Sequence, residues 1–363
     1  MSVTPRGPLA DRLQTIWSSR NAVAVLLLPL AALFWAITSI RKTLFKFAWL
    51  RTRQVRAPVI VVGNLIAGGA GKTPTVIAVV EALRQRGYTP GVVSRGYGGT
   101  ATEAIEVDTT TPARLCSDEP LLIHVRTRAP VAVGRNRVAA AELLLARHPE
   151  VDLVISDDGL QHWRLARTAQ VLVFDERGVG NGWPLPAGPL RERLPRAVPP
   201  RTLVLYNAPC ASTPLPGALA LRSLAGAVSL GDWWRGRAAT MEVLESLKGR
   251  PLIAAAGVAD PKRFFGMLDA LGLGFRALPL PDHCAYAELP WPADTADVIV
   301  TEKDAIKLSP TGVGATRVWV APLNFRLDAA FVAALADLLP SPGLRHGNSL
   351  VEPARLPDLQ GPT

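Results

Sequence analysis

Hydrophobic and polar positions alternate in three different ways along the chain. Residues 22–40 carry no charge over nineteen positions and are interrupted only by Pro29. After Pro58, short aliphatic runs alternate with stretches of helical period, the pattern of a mostly parallel sheet flanked by helices. The runs 59–62, 91–93, 131–133, 153–155, 171–174 and 203–206 predict strands, and 75–85 and 137–147 predict amphipathic helices. The stretch 208–217, APCASTPLPG, has no period and marks a boundary. Beyond it a second set predicts strands over 252–256, 298–301 and 318–321, with helices over 261–271 and near 329–339. From Ser341 the chain is rich in proline and glycine and reads as a loose tail. The expected organisation is an amino-terminal segment over 1–57, an α/β domain over 58–215, a smaller α/β domain over 216–340 and a tail over 341–363.

Composition narrows the class. Of 363 residues 48% are hydrophobic and 19% charged, which excludes a globally disordered chain. The 32 prolines are scattered singly, so collagen and long proline-rich linkers are excluded too. Three cysteines, Cys116, Cys210 and Cys284, show no CxxC spacing, support neither a disulfide framework nor a zinc knuckle, and fit a reducing compartment. The net charge of +10 suits nucleic acid, an anionic membrane surface or a phosphorylated substrate, and does not choose among them.

The uncharged run at 22–40 is flanked by Arg6, Arg12 and Arg20 upstream and by Arg41, Lys42, Lys46, Arg51, Arg53 and Arg56 downstream, with Phe45, Phe47 and Trp49 interleaved. At about 1.5 Å per residue it nearly matches a hydrocarbon core of roughly 30 Å. Membrane attachment is the favoured reading. A cleavable signal peptide is disfavoured by the length, the cationic downstream flank and the lack of a cleavage site; a buried globular helix is the other alternative. The heavier downstream charge would keep the following domain in the cytoplasm.

The strongest local signal is VIVVGNLIAGGAGKTPT at 59–75: an apolar strand, a glycine-rich turn, and GKT opening a helix. Glycines let backbone N–H groups approach phosphate oxygens, Lys72 can reach the β and γ phosphates, and the Thr73 hydroxyl can ligate magnesium. The nucleotide would rest on Ile66, Ala67, Gly68, Gly69, Ala70, Gly71, Lys72 and Thr73. The strict pattern has glycine where Ile66 stands. An aliphatic strand ending in Asp157 and Asp158 supplies two adjacent acids that repel unless a cation sits there, and magnesium suits a site beside phosphate. SRGYGG at 94–99 places Arg95 after the second strand, near the phosphates, and NGWPLPAGPLRERLPR at 181–196 reads as a long ordered loop.

GNLIAGGAGKTP, SRGYGG, SDEP (117–120), DDGLQH (157–162), PAGPLRE (186–192), PDH (281–283) and TEKDAIK (301–307) stand in the same order as in tetraacyldisaccharide 4′-kinases, and the chain resembles that family from about Pro58 to Leu308. The resemblance implies a P-loop domain with a smaller α/β domain closing a cleft, and an amino-terminal hydrophobic helix that associates with the membrane. It implies transfer of the ATP γ-phosphate, with Mg2+, to the 4′-hydroxyl of an acylated glucosamine disaccharide 1-phosphate at the cytoplasmic face of the bacterial inner membrane. No nucleic acid and no obligate protein partner is expected. Carried over, Lys72 and Thr73 serve ATP and magnesium, Asp157 the metal and Asp158 the transfer. Asp118 of SDEP pairs with His283 as base and partner. Glu192 is a further carboxylate on the magnesium side. Ser117, where the family pattern has glycine, and Cys284, where it has a second histidine, depart from it. Arg41, Lys42, Arg51 and Arg53 are candidates for gripping phosphate and head groups. The alternatives are a membrane-tethered P-loop ATPase driving a protein partner and a soluble small-molecule kinase with a packed first helix.

Overall fold

The computed structural model describes residues 8–343 apart from His283, Ala285 and Ala287. The expected tail lies outside the described residues beyond Gly343.

Three helices open the chain: α1 (Pro8–Ser18), α2 (Ala22–Leu26) and α3 (Leu28–Lys46). The break at Leu27 falls just before Pro29, which has no N–H to return to the preceding turn. Only Ala24 and Ala31 of the apolar run are buried, whereas Leu26, Leu30, Leu33, Ile37 and Ile40 are each more than half exposed. A helix that turns its large apolar side chains outward is not a packed core helix, so that alternative falls. At 19 residues, α3 is the one helix among the described residues long and apolar enough to cross a membrane.

The first sheet has eight strands: β1 (Val59–Gly63), β2 (Pro90–Ser94), β3 (Ile105–Val107), β4 (Val131–Val133), β5 (Leu153–Asp157), β6 (Ala169–Asp175), β7 (Thr202–Asn207) and β8 (Ala218–Leu219). Their order is β3-β4-β2-β5-β1-β6-β7-β8, parallel except for β3. The helices α4 (Lys72–Arg84), α5 (Ala113–Cys116), α6 (Asp118–Thr127) and α7 (Arg137–Arg147) connect them. Strand side chains alternate between faces. Accordingly Ile60 and Val62 join a core with Val76, Val80 and Leu83 of α4, while Val59 and Val61 join another with Val138, Ala141 and Leu144 of α7.

After β8 come β9 (Leu221–Leu224), β10 (Val228–Ser229), β11 (Leu252–Ala256), β12 (Arg276–Pro279), β13 (Asp297–Val300), β14 (Arg317–Val320) and β15 (Leu323–Arg326). Five of them form a second sheet, β10-β14-β13-β11-β12, and β9 pairs with β15 in a ribbon. The irregular stretch 208–217 is thus a loop inside the first sheet, because β8 pairs with β7 beyond it. Two residues are too few to print a period. The core around α4 continues into the second sheet through Val298, Val300, Val318 and Val320, which is why α4 is apolar on more than one face.

Candidate functional site

Sequence places glycine at the end of β1, where the chain turns back towards α4. Gly71 sits at φ +85°, and a Cβ there would meet Asn207 Nδ2 at 2.0 Å, so both conformation and space demand glycine. Lys72 is buried and folds under the loop, donating to Asn64 Oδ1 and to the Gly68 carbonyl, both at 3.3 Å. Asn64 Nδ2 donates to the same carbonyl at 3.1 Å. Asn207 Nδ2 donates to the Ala70 carbonyl at 3.1 Å, and Arg177 Nη2 to the Gly69 carbonyl at 2.6 Å, with Arg177 itself held by Asp175. The loop is therefore braced from the ends of β6 and β7. Ile66 is buried, lies outside the positive-φ residues and bridges to Leu190, while the Ala67 N–H donates to the Pro189 carbonyl at 2.8 Å. The departure from the strict glycine pattern is an anchor on the 181–196 loop, at a position whose backbone needs no glycine.

Strand register puts Asp157 beside Val62, so the two acids stand next to the glycine-rich loop. Asp157 is buried; Oδ2 accepts from Ser94 Oγ at 3.1 Å, and Oδ1 has no hydrogen-bond partner among the described residues. Burial, with the Glu119 and Asp158 charges, pushes its carboxyl up to about 7. Asp158 follows at φ +47°, a region aspartate tolerates. Its Oδ1 lies 3.8 Å from Lys72 Nζ and 3.1 Å from Arg191 Nη1. Burial opposes ionisation here, but Lys72 and Arg191 outweigh it and hold the carboxyl below its usual range. Two adjacent acids are thus driven in opposite directions.

A buried carboxylate oxygen lacking a donor is a fit place for a hard cation. Among the described residues no group of three or more His, Cys, Asp or Glu is placed to hold a metal. Magnesium does not require one, since it takes one or two carboxylates and completes its shell with phosphate and water. Glu192 is linked to this corner: Oε2 accepts from Lys42 Nζ at 3.3 Å and Oε1 from Gln161 Nε2 at 3.2 Å, while Gln161 Oε1 accepts from Arg191 Nη1, which also donates to Asp158.

The SDEP segment opens α6 with Asp118 and Glu119. Sequence periodicity missed this helix because Pro120 interrupts its first turn, where proline is tolerated. Ser117 lies at φ +77° and ψ 160°, a conformation that suits glycine, which explains the family's preference at this position. Ser117→Gly is expected to stabilise the chain by about 1 kcal/mol, the relief of strain exceeding the added unfolded-state entropy; thermal unfolding that moves down instead would contradict this. Asp118 Oδ2 lies 3.4 Å from Lys307 Nζ, and Glu119 Oε1 accepts from Lys303 Nζ at 3.0 Å. His283 lies outside the described residues. Cys284 is half-buried and free.

The amino-terminal helices seat on the 181–196 loop and its neighbours. Trp17 Nε1 donates to the Pro186 carbonyl at 2.9 Å, Arg193 stacks on Trp35 at 4.0 Å, and Lys42 lies 5.1 Å over Trp163. Beside them His162 is pushed down to about 4 by burial and by Arg137, Arg41, Arg167 and Arg164, the mark of a strongly positive surrounding. Arg53 pairs through its backbone with the 164–166 segment, and Arg51 is exposed. Arg95 is exposed at the end of β2, with β5 between it and β1. Asn64, Asp175, Arg177, Asn207 and Arg191 went unpredicted. Asp175 and Asn207 close apolar strands at the carboxyl edge of a parallel sheet, the place where ligands bind, and that was the available signal.

Residues 23–340 match the profile of a family described as Tetraacyldisaccharide-1-P 4'-kinase. A Tetraacyldisaccharide 4'-kinase of Methylibium petroleiphilum is 55% identical over 339 residues, covering 92% of this chain and 95% of the relative. One from Leptothrix cholodnii is 51% identical over 337 residues, covering 92% and 97%. Among solved structures, LpxK from Aquifex aeolicus in complex with ATP has a TM-score of 0.72 at 24% identity, covering 88% of this chain and 100% of that one.

Proposed function

The chain belongs to the tetraacyldisaccharide-1-P 4'-kinase family, and on that premise we propose how its own residues carry the reaction. It is an ATP-dependent phosphotransferase that phosphorylates tetraacyldisaccharide 1-phosphate at the 4′ position. In this reading the backbone of residues 66–71 and the Lys72 ammonium hold the β and γ phosphates. Thr73 and Asp157 would hold Mg2+, which would supply neutralisation of charge on the transferring group. Asp158, ionised between Lys72 and Arg191, keeps the lysine aimed at the phosphates. Asp118 takes the proton of the 4′-hydroxyl as its oxygen forms the new bond to the γ phosphorus and the bond to the bridging oxygen breaks, releasing ADP. The pairing of His283 with Asp118 rests on the sequence pattern. Glu192, held by Lys42 and Gln161, ties α3 to the site and is the further carboxylate on the magnesium side.

The two sheets wall the site: residues 58–219 supply the nucleotide groups and 220–340 supply Lys303 and Lys307. The exposed apolar face of α2 and α3 suits an acceptor that stays in a bilayer. The cations over 41–56 support a position on the cytoplasmic face of the inner membrane. One observation carries the assignment: a buried lysine at the mouth of a glycine loop, 3.8 Å from Asp158 and beside the unpartnered Asp157 oxygen. Incubating the purified protein with ATP, Mg2+ and detergent-dispersed disaccharide 1-phosphate should yield a bisphosphorylated lipid. Hydrolysis of ATP without that product, dependent instead on an added protein, would favour the tethered ATPase.

A further inference from the structure

TEKDAIK at 301–307 brings Lys303 and Lys307 to the site, and the reaction above gives neither lysine a task. Its side chains build a platform. Asp304 is fully buried, accepting from the Gly257 N–H at 3.0 Å and from Thr301 Oγ1 at 2.7 Å. Glu302 is buried and accepts from Arg126 Nη1 of α6 at 2.5 Å and from Trp233 Nε1 at 3.1 Å. The acids therefore fix the motif between the second sheet and α6. The two lysines then meet the two acids that open α6: Lys303 on Glu119 at 3.0 Å, and Lys307 on Asp118 at 3.4 Å. The Lys307 side chain is only 8% exposed and that of Asp118 17%, so this ion pair is little screened by solvent.

We propose that Lys307 is a positioning residue for the transfer: its ammonium orients Asp118 and keeps it a carboxylate when the nucleotide's anionic phosphates enter the site. The inference rests on the assignment of Asp118 as base. A base must be ionised before it accepts a proton, yet this neighbourhood is rich in negative charge. The Glu119 and Asp158 charges reach Asp157, those of Glu119, Asp282 and Asp118 reach Lys303, and a polyphosphate adds more. Each anion favours the protonated, useless form of Asp118, and a cation at contact distance opposes that. The charged and titratable neighbours include Lys303 and Lys307 from the motif, the buried Asp304 on which the Lys307 charge also acts, Glu119 and Cys116 on either side along the chain, Asp282, and His283 by the sequence pattern. Burial works against the charge on Lys303, but Glu119, Asp282 and Asp118 more than restore it. Lys303 donates to Glu119, and Lys307 stands in ion-pair contact with Asp118.

The test is the pH dependence of kcat/KM for the full-length enzyme with ATP, Mg2+ and the detergent-dispersed acceptor. Lys307→Met should move the acid limb upward by about one pH unit, the effect of removing one close opposite charge. The loss is then roughly tenfold on the acid side and shrinks towards alkaline pH. The KM for ATP should stay within about threefold, and Lys307→Arg should return the limb to its original place. Lys307→Gln, which keeps polarity and drops charge, serves if the methionine variant does not fold, and should shift the limb equally. A merely structural lysine would lower the rate by the same factor at every pH. A folded, charge-free variant with an unmoved limb overturns the proposal. Asp118→Asn separates the two failures: normal turnover there removes the base assignment itself, whereas an inactive asparagine variant beside an unmoved Lys307→Met limb removes only the role of Lys307.

Discussion

Lys72→Ala is expected to lower phosphoryl transfer by at least about a thousandfold, the scale on which preorganised cations act on a transferring phosphoryl group. The lysine sits where the strand, the turn and the helix converge, with its Nζ hydrogen-bonded to Asn64 and Gly68 and close to Asp158. No solvent replaces a fixed charge in that position. The fold should survive, because Asp158 retains Arg191 at 3.1 Å and the loop retains Asn207 and Arg177 on its carbonyls. Single-turnover transfer to the lipid acceptor, with thermal unfolding as the companion measurement, decides the matter. A rate within tenfold of the parent would remove the nucleotide from this loop.

The second large effect belongs to Asp118. Asp118→Asn keeps shape and hydrogen-bonding size while deleting the proposed proton acceptor, and should cut kcat by about 10²- to 10⁴-fold, the range of general-base catalysis. Binding of ATP should change little, since the proposed nucleotide contacts come from the loop and the Asp157–Asp158 corner. A drop in affinity with kcat preserved would make Asp118 a binding residue, and no change at all would make it the opening acid of α6 and nothing more. The two substitutions probe different partners of the same reaction, one the phosphoryl donor and the other the acceptor hydroxyl. Measured under saturating ATP and lipid, both should be seen in the chemical step.

The contrast between Ile66 and Ser117 shows how far pattern alone carries. Both stand where the expected motif has glycine. Ile66 proves harmless because its backbone is not left-handed and its side chain fills a buried slot against the 181–196 loop. Ser117 carries real strain at φ +77°. A motif records residue types, and the dihedral that makes one substitution neutral and the other costly appears only in three dimensions.

Glu192 marks a similar limit. Its place in PAGPLRE suggests the magnesium side of the site, and only the structure adds that its oxygens meet Lys42, 150 residues earlier, and Gln161. No local spacing encodes a contact between segments so distant in sequence. The same holds for the pairs between TEKDAIK and SDEP, which depend on how the second sheet docks against α6.

What the amino-acid order determined by itself was the local chemistry and the class of fold. Alternating aliphatic runs and helical stretches located nearly all the long strands, and the glycine loop with GKT and the strand-end Asp157–Asp158 pair announced a nucleotide site, because backbone period and loop geometry are short-range properties. The uncharged run before Arg41 likewise announced an apolar helix. Tertiary structure alone decided that this helix turns its apolar side chains outward, that β8 returns to the first sheet across an irregular loop, that Asn207 and Arg177 brace the phosphate loop, and that Lys307 meets Asp118. These are long-range pairings, selected by the packing of two sheets against the shared core around α4, and packing is a property of the whole chain.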